Sequence, residues 1–218
     1  MARLTRSESQ ARTRAALVAT ARDLFLADGY AKTSMERVAE EAGYSKGAVY
    51  SNFRTKKELC LEVLEHIHTT KFGEVAELVA ADESLDDRLA RLQDWAERTL
   101  GDVGWTLLEF EFATLSRDDP ELRAALVSSL GAVRGAVAAQ LQTLADSLGL
   151  VLPMPAEDAA ATVLSLGLGL GIQRAIDPSL SARLITDAVR LLLSVAERST
   201  TALTAGSAVS TRRDSAAG

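Results

Sequence analysis

An all-α fold follows from three observations on the 218-residue chain. Ala and Leu are plentiful while aromatics are 5%, apolar residues recur at spacings of three and four, and the prolines fall only at 120, 153, 155 and 178, where helices end or begin. The chain is 47% hydrophobic and 25% charged, the balance of a globular protein that can bury a core. Its length suits a small domain followed by a larger one, and no internal repeat is visible.

The elements follow in order. Residues 1–7 are polar, with Arg3 and Arg6, and read as a disordered arm. Ser7 and Gln10 offer a capping box for a first helix to about residue 27, in which Ala15, Val18, Leu24 and Phe25 form one buried stripe. Asp28 and Gly29 end it. Thr33 is the expected N-cap of a helix at 34–42, with Glu36 completing a capping box and Met35, Val38 and Ala39 facing inward. Gly43 supplies the left-handed residue that leaves that helix. Ser45 caps a short helix at 45–52, with Val49 pointing back and Tyr50 away. Ala39, Gly43 and Val49 are the small, permissive and apolar residues that two steeply crossing helices require, so 33–52 reads as a helix-turn-helix.

Thr55 and Glu58 offer a capping box for a long helix at 55–79. Further helices are expected at 85–100, 103–116, 119–148, 156–176 and 180–198. Asp119 and Pro120 open one, Gly149 with 153–155 separates two more, and Asp177 with Pro178 separates the last two. Residues 199–218, rich in Thr, Ser, Ala and Gly, read as a disordered tail. The expected domains are therefore a three-helix head at 8–55 and a helical body at 56–198.

The string TSMERVAEEAGYSKGAVYSNFRTKKEL at 33–59, with Tyr50 and Phe53 as an aromatic pair and Lys56 opening the next helix, closely resembles the DNA-binding domain of the TetR/AcrR family of bacterial regulators. The resemblance is strong over roughly residues 10–60 and architectural beyond. Ala48 departs from it, since many members carry threonine there, and a hydroxyl contact to base or sugar is lost. The resemblance implies a repressor that binds a palindromic operator as a homodimer and is released by a small-molecule effector. It also implies a ligand cavity among the helices between residues 60 and 176, and a four-helix dimer interface built from the last two helices.

Charge supports a DNA-binding head. Residues 1–56 hold ten Lys+Arg against six Asp+Glu, whereas 57–218 hold 14 against 24, within a net charge of −6. In the second reading helix Lys46 suits guanine, Gly47 permits close backbone approach and Ala48 meets a thymine methyl. Tyr50, Ser51 and Asn52 suit phosphate or sugar, as do Thr33 and Ser34 at the first reading helix; Ser45 combines capping with backbone contact. Lys56 and Lys57 sit in the first turn of a helix, the wrong end for cations unless a phosphate is bound there.

For dimerisation, Leu164, Leu168 and Gly171 share a helix face, Gly167 and Gly171 permit close approach, and Leu184, Val189, Leu192 and Val195 follow on the next helix. For the effector, Trp105, Leu108, Phe112 and Leu115 form an aromatic-rich stripe, with Trp95 on the preceding helix and Glu109 and Glu111 interrupting it.

Enzymatic activity is not expected. His66 and His68 are two apart on a helix and face different directions, Cys60 has no partner pattern, and neither a metal nor a cofactor is called for. One cysteine excludes an internal disulfide and fits a cytoplasmic location. No signal segment is read, and the nearly apolar run at 159–172 is too short for a membrane span, so no membrane partner is expected. A helical interaction adaptor with a vestigial head, or an activator, are the alternatives.

Overall fold

The computed structural model describes residues 5–215, with side chains through Thr201. Among these, nine α-helices and no strand are present: α1 Arg6–Asp28, α2 Met35–Glu41, α3 Lys46–Asn52, α4 Lys56–Ala80, α5 Leu85–Thr99, α6 Val103–Leu115, α7 Pro120–Ser147, α8 Ala156–Ile176 and α9 Arg183–Ser215. The fold is all-α, with the helix-turn-helix in α2 and α3.

Local chemistry fixes the boundaries. α1 opens on a capping box of Thr5 and Glu8, not Ser7 and Gln10, because the Thr5 hydroxyl reaches the Glu8 N–H while the Glu8 carboxylate takes the Thr5 N–H at 2.7 Å. Residues 1–4 of the expected arm lie outside the described residues. Ser84 caps α5, and Asp102 caps α6 by accepting from Trp105 N. α4 opens with half of the expected box: Thr55 accepts from Glu58 N, but Glu58 takes the N–H of Arg54 rather than Thr55.

α9 corrects the expectation of a tail from residue 199, since it continues as helix to Ser215. No proline interrupts it, and the hydroxyls of Ser199, Thr200 and Thr201 donate to the carbonyls of Val195, Ala196 and Glu197 four residues back. Residues 216–218 of that tail lie outside the described residues.

The chain forms two compact units. The first takes Met1–Lys71 and Asp102–Gly131, more than the head expected at 8–55, because α6 packs on α1. A Cβ on Gly104 would lie 2.4 Å from the Leu26 carbonyl oxygen, so glycine is what admits that approach. The core of this unit gathers Leu17, Phe25, Val38, Val49, Phe53, Leu59, Leu108 and Phe112, each about fully buried. On α1 the buried stripe is Leu17, Val18, Ala21 and Phe25; Ala15 is exposed.

The second unit takes Phe72–Gly101 and Ala132–Gly218. Trp95 and Ala96 pack with Leu170, Ala182 and Ile185, and Leu89 packs with Leu144, Val189 and Leu193. Arg174, 8% exposed, donates to the carbonyls of Leu100 and Glu97 at 2.8 and 3.1 Å and pairs with the Glu97 carboxylate at 2.9 Å. A buried cation is tolerable only when so surrounded by acceptors. Helices α7 and α8 are long and apolar enough to cross a membrane by length and composition, which the 159–172 run alone did not suggest.

Candidate nucleic-acid interface

α2 and α3 are joined by a turn in which Gly43 has φ 74° and Tyr44 N donates to Ala39 O at 2.8 Å. Val49 is fully buried against α2, as its spacing predicts, and Tyr50 faces out with 48% exposure. Ser45 caps α3 by accepting from Ala48 N at 3.2 Å.

The cap of α2 is Ser34, which accepts from Arg37 N at 3.1 Å, and not Thr33. Thr33 is 1% exposed, and its hydroxyl donates inward to Gly29 O at 3.0 Å, which corrects its assignment as a DNA contact. Two consecutive hydroxyl residues give a sequence no means of choosing the cap; the buried methyl of threonine decides it.

Ser34, Ser45, Lys46, Gly47, Tyr50 and Ser51 are exposed, while Ala48, Asn52 and Lys56 are half-buried. Ser51 Oγ and Asn52 Nδ2 both donate to the Ala48 carbonyl, at 2.9 and 2.8 Å. Asn52 Oδ1 is buried without a hydrogen-bond partner among the described residues. The Tyr50 hydroxyl donates to Glu36 Oε1 at 3.0 Å, which pushes the tyrosine pKa up. The Glu36 carboxyl is held below its ordinary value by its own backbone N–H, by Tyr50 and by the nearby Lys46 charge.

Lys56 turns inward. Its Nζ donates to Tyr30 O at 2.7 Å and Thr33 O at 2.8 Å and sits 4.0 Å from the centre of the Tyr30 ring. Burial pushes its pKa down. On the other side of the same loop, Glu111 of α6 accepts from the N–H groups of Tyr30 and Ala31 at 3.0 and 2.9 Å. Tyr30 meets Phe112 edge-on at 4.9 Å. Lys57, the next residue of the first turn of α4, pairs with Asp119, whose other oxygen accepts from Leu122 N at the start of α7.

Arg14 was not visible as a functional residue in the sequence. Its guanidinium pairs with Glu62 on α4, lies 4.1 Å over the Phe53 ring and donates to the Asn52 carbonyl at the end of α3. It thereby fixes the exit of the reading helix against α1 and α4.

The expected effector residues are dispersed. Leu108 and Phe112 are buried in the core of the first unit, and Trp105 is half-buried there, its Nε1 donating to Glu109 Oε1 at 2.8 Å. His68 Nε2 lies 2.6 Å from the same oxygen, a pairing that a separation of 41 positions concealed. Trp95 belongs to the second unit, where its Nε1 donates to Glu74 at 2.8 Å. An open acidic cleft of about 770 Å³ on the first unit is lined by Lys57, Leu115, Asp118, Asp119 and Glu121 among others, and by none of those aromatics.

In the expected dimer set, Leu168 and Leu184 are 49% and 46% exposed. Leu164, Gly167, Leu192 and Val195 are half-buried. Gly171 is buried, and Val189, 4% exposed, packs inside its own unit, which corrects its assignment to an outward face. Leu191, 63% exposed, is the outward neighbour that helical spacing on α9 offers instead.

Residues 17–63 match the family described as bacterial regulatory proteins, tetR family. The transcriptional regulator TtgR of Pseudomonas putida is 37% identical over 87 residues, 40% of this chain and 39% of its own length. AcrR of Shigella flexneri is 36% identical over 75 residues, 34% of each chain. The matches thus span about two-fifths or less of the curated relatives. Two solved structures share the fold across most of the chain. A regulator from Saccharomonospora viridis, described as in complex with choline, has a TM-score of 0.62 at 21% identity over 84% of this chain and 96% of its own. A regulator from Rhodococcus sp. RHA1 has a TM-score of 0.68 at 19% identity over 85% and 95%. With reading helices that match the tetR family model over residues 17–63 and an all-helical remainder that shares its fold with solved regulators, the chain is similar to the TetR/AcrR family of transcriptional regulators.

Proposed function

We propose that the protein is a cytoplasmic repressor that binds a palindromic operator as a homodimer and is released by a small-molecule effector. The observation that carries the DNA-reading half is the outward face of α3, where Lys46, Gly47 and Tyr50 are exposed over a buried Val49. Lys46 reads guanine in the major groove, and Ser34, Ser45, Ser51, Asn52 and Lys56 meet the backbone. A single seven-residue helix offers few base contacts, so a second head is needed, with half-sites about 34–36 Å apart. Leu164, Leu168, Leu184, Leu192 and Val195 supply the association surface, with Gly167 admitting close approach.

The effector binds beside Trp105, where the Glu109 carboxylate selects a cationic or hydroxylated molecule. Glu111 and Asp119 support this coupling, since α6 and the start of α7 hold the head loop and the first turn of α4. A ligand that shifts α6 withdraws those contacts, and reciprocity requires the operator to weaken the ligand equally. That a structure sharing this fold is described as in complex with choline supports a small cation as the first molecule to try. The test is to sequence genomic fragments retained by the purified chain and to run sedimentation on the same preparation. A retained palindrome and a dimer are expected; no enriched fragment, or a monomer at micromolar concentration, overturns the reading.

A further inference from the structure

We propose that Glu36 is the positioning residue that sets specificity on the reading face, by holding the Tyr50 hydroxyl and keeping phosphate off α3 unless base contacts compensate. The inference rests on the DNA-reading assignment of α3. Glu36 stands in the first turn of α2, yet it reaches across to α3, 14 residues on, to accept from Tyr50 at 3.0 Å. A phenol has one O–H to donate and an ionised carboxylate only accepts. With that donor engaged, Tyr50 offers DNA its ring and not a hydrogen bond to phosphate. The Lys46 charge also acts on Glu36, so the cation cast for guanine has a carboxylate among its neighbours.

The consequence concerns discrimination more than raw affinity. Duplex DNA carries a negative charge about every 1.7 Å of its axis, and every sequence presents it alike. A carboxylate inside the footprint therefore weakens most the complexes that phosphate contacts alone hold against α3. At a matched site Lys46 recovers part of that loss through the base edge; at an unmatched site nothing does. An acid at a helix N-terminus also steadies the helix, and that ordinary role predicts loss of fold when it is changed, not loss of discrimination.

The experiment uses the full chain, a duplex selected by it from a random library, and a mixed-sequence duplex of equal length. Glu36→Gln keeps an acceptor for Tyr50 but removes the charge. It should tighten binding to the mixed duplex by about three- to tenfold at low salt, the scale of one unit charge near a protein surface. Its salt slope should steepen by about 0.9. The selected duplex should gain less, so the ratio falls, and the melting temperature should hold. Tyr50→Phe should lower mixed-duplex affinity more beside Glu36→Ala, where the freed hydroxyl can reach phosphate, than it does in the wild-type background. An unchanged ratio and slope in both Glu36 variants, or equal losses on both duplexes, overturns the role of Glu36 while wild-type binding stands. A wild type that selects no duplex overturns the DNA-reading assignment as well.

Discussion

Arg14 joins three elements through partners 38 and 48 residues away, a distance at which helical periodicity carries no signal. Arg14→Ala should lower the stability of the full chain by about 1–2 kcal/mol in urea unfolding, since a partly exposed ion pair and a cation–π contact are lost together. Glu62→Gln should cost less, because the Phe53 stack survives. Ser34→Ala should cost about 1 kcal/mol as a lost cap. Buried titratable groups set the alkaline limit. Burial pushes Tyr30 up to about 12 from 10.0, and Cys60 up from 9.0. Both are raised acids, so the unfolded chain loses these protons first. Stability is then full below about pH 9 and falls as pH climbs through 10 toward 12. Circular dichroism across that window should show the fall, with Tyr30→Phe flattening its upper part. At this scale the sequence was legible where a residue's role is local: the inward Val49, the outward Tyr50 and the Ser45 cap. Inward-turned Thr33 and Lys56 were not, because their partners are backbone carbonyls of a loop whose path is set by α6.

Among the elements, the helices are legible to within a few residues because Pro, Gly and hydroxyl caps mark most ends. The exception is α9, where Ser and Thr read as loop formers yet bond to their own helix. Packing between helices is where glycines separate. Gly104→Ala puts a methyl 2.4 Å from the Leu26 carbonyl, so α6 must shift from α1, at about 1–3 kcal/mol. Among the described residues, Gly131 and Gly135 of α7 have nothing within 4 Å of an added Cβ. Alanine at either should stabilise by up to about 1 kcal/mol through helix propensity. Thermal unfolding of the three variants checks the contrast, and equal effects would mean that α6 and α1 are not in close contact.

For the whole molecule, charge asymmetry and association belong together. The acidic residues 57–218 should be repelled by DNA, which favours approach through the basic residues 1–56. Association can be tested with glycine too. Among the described residues an added Cβ at Gly169 meets nothing within 4 Å, and at Gly167 it meets Ile185 Cδ1 at 3.9 Å. Alanine at either should leave the subunit no less stable while weakening the dimer, and Leu168→Glu should give monomers that no longer hold the operator. Sedimentation and gel shift on the same samples read both; an unchanged dimer would move the interface elsewhere. The Lys56 ammonium carries three hydrogens, two of them spent on Tyr30 and Thr33. The side chain is thus anchored at its tip without DNA, so a phosphate meeting the third hydrogen would cost little further ordering of that side chain. On the proposed DNA-binding role, the loop that holds this lysine would lower the entropic penalty of the phosphate contact.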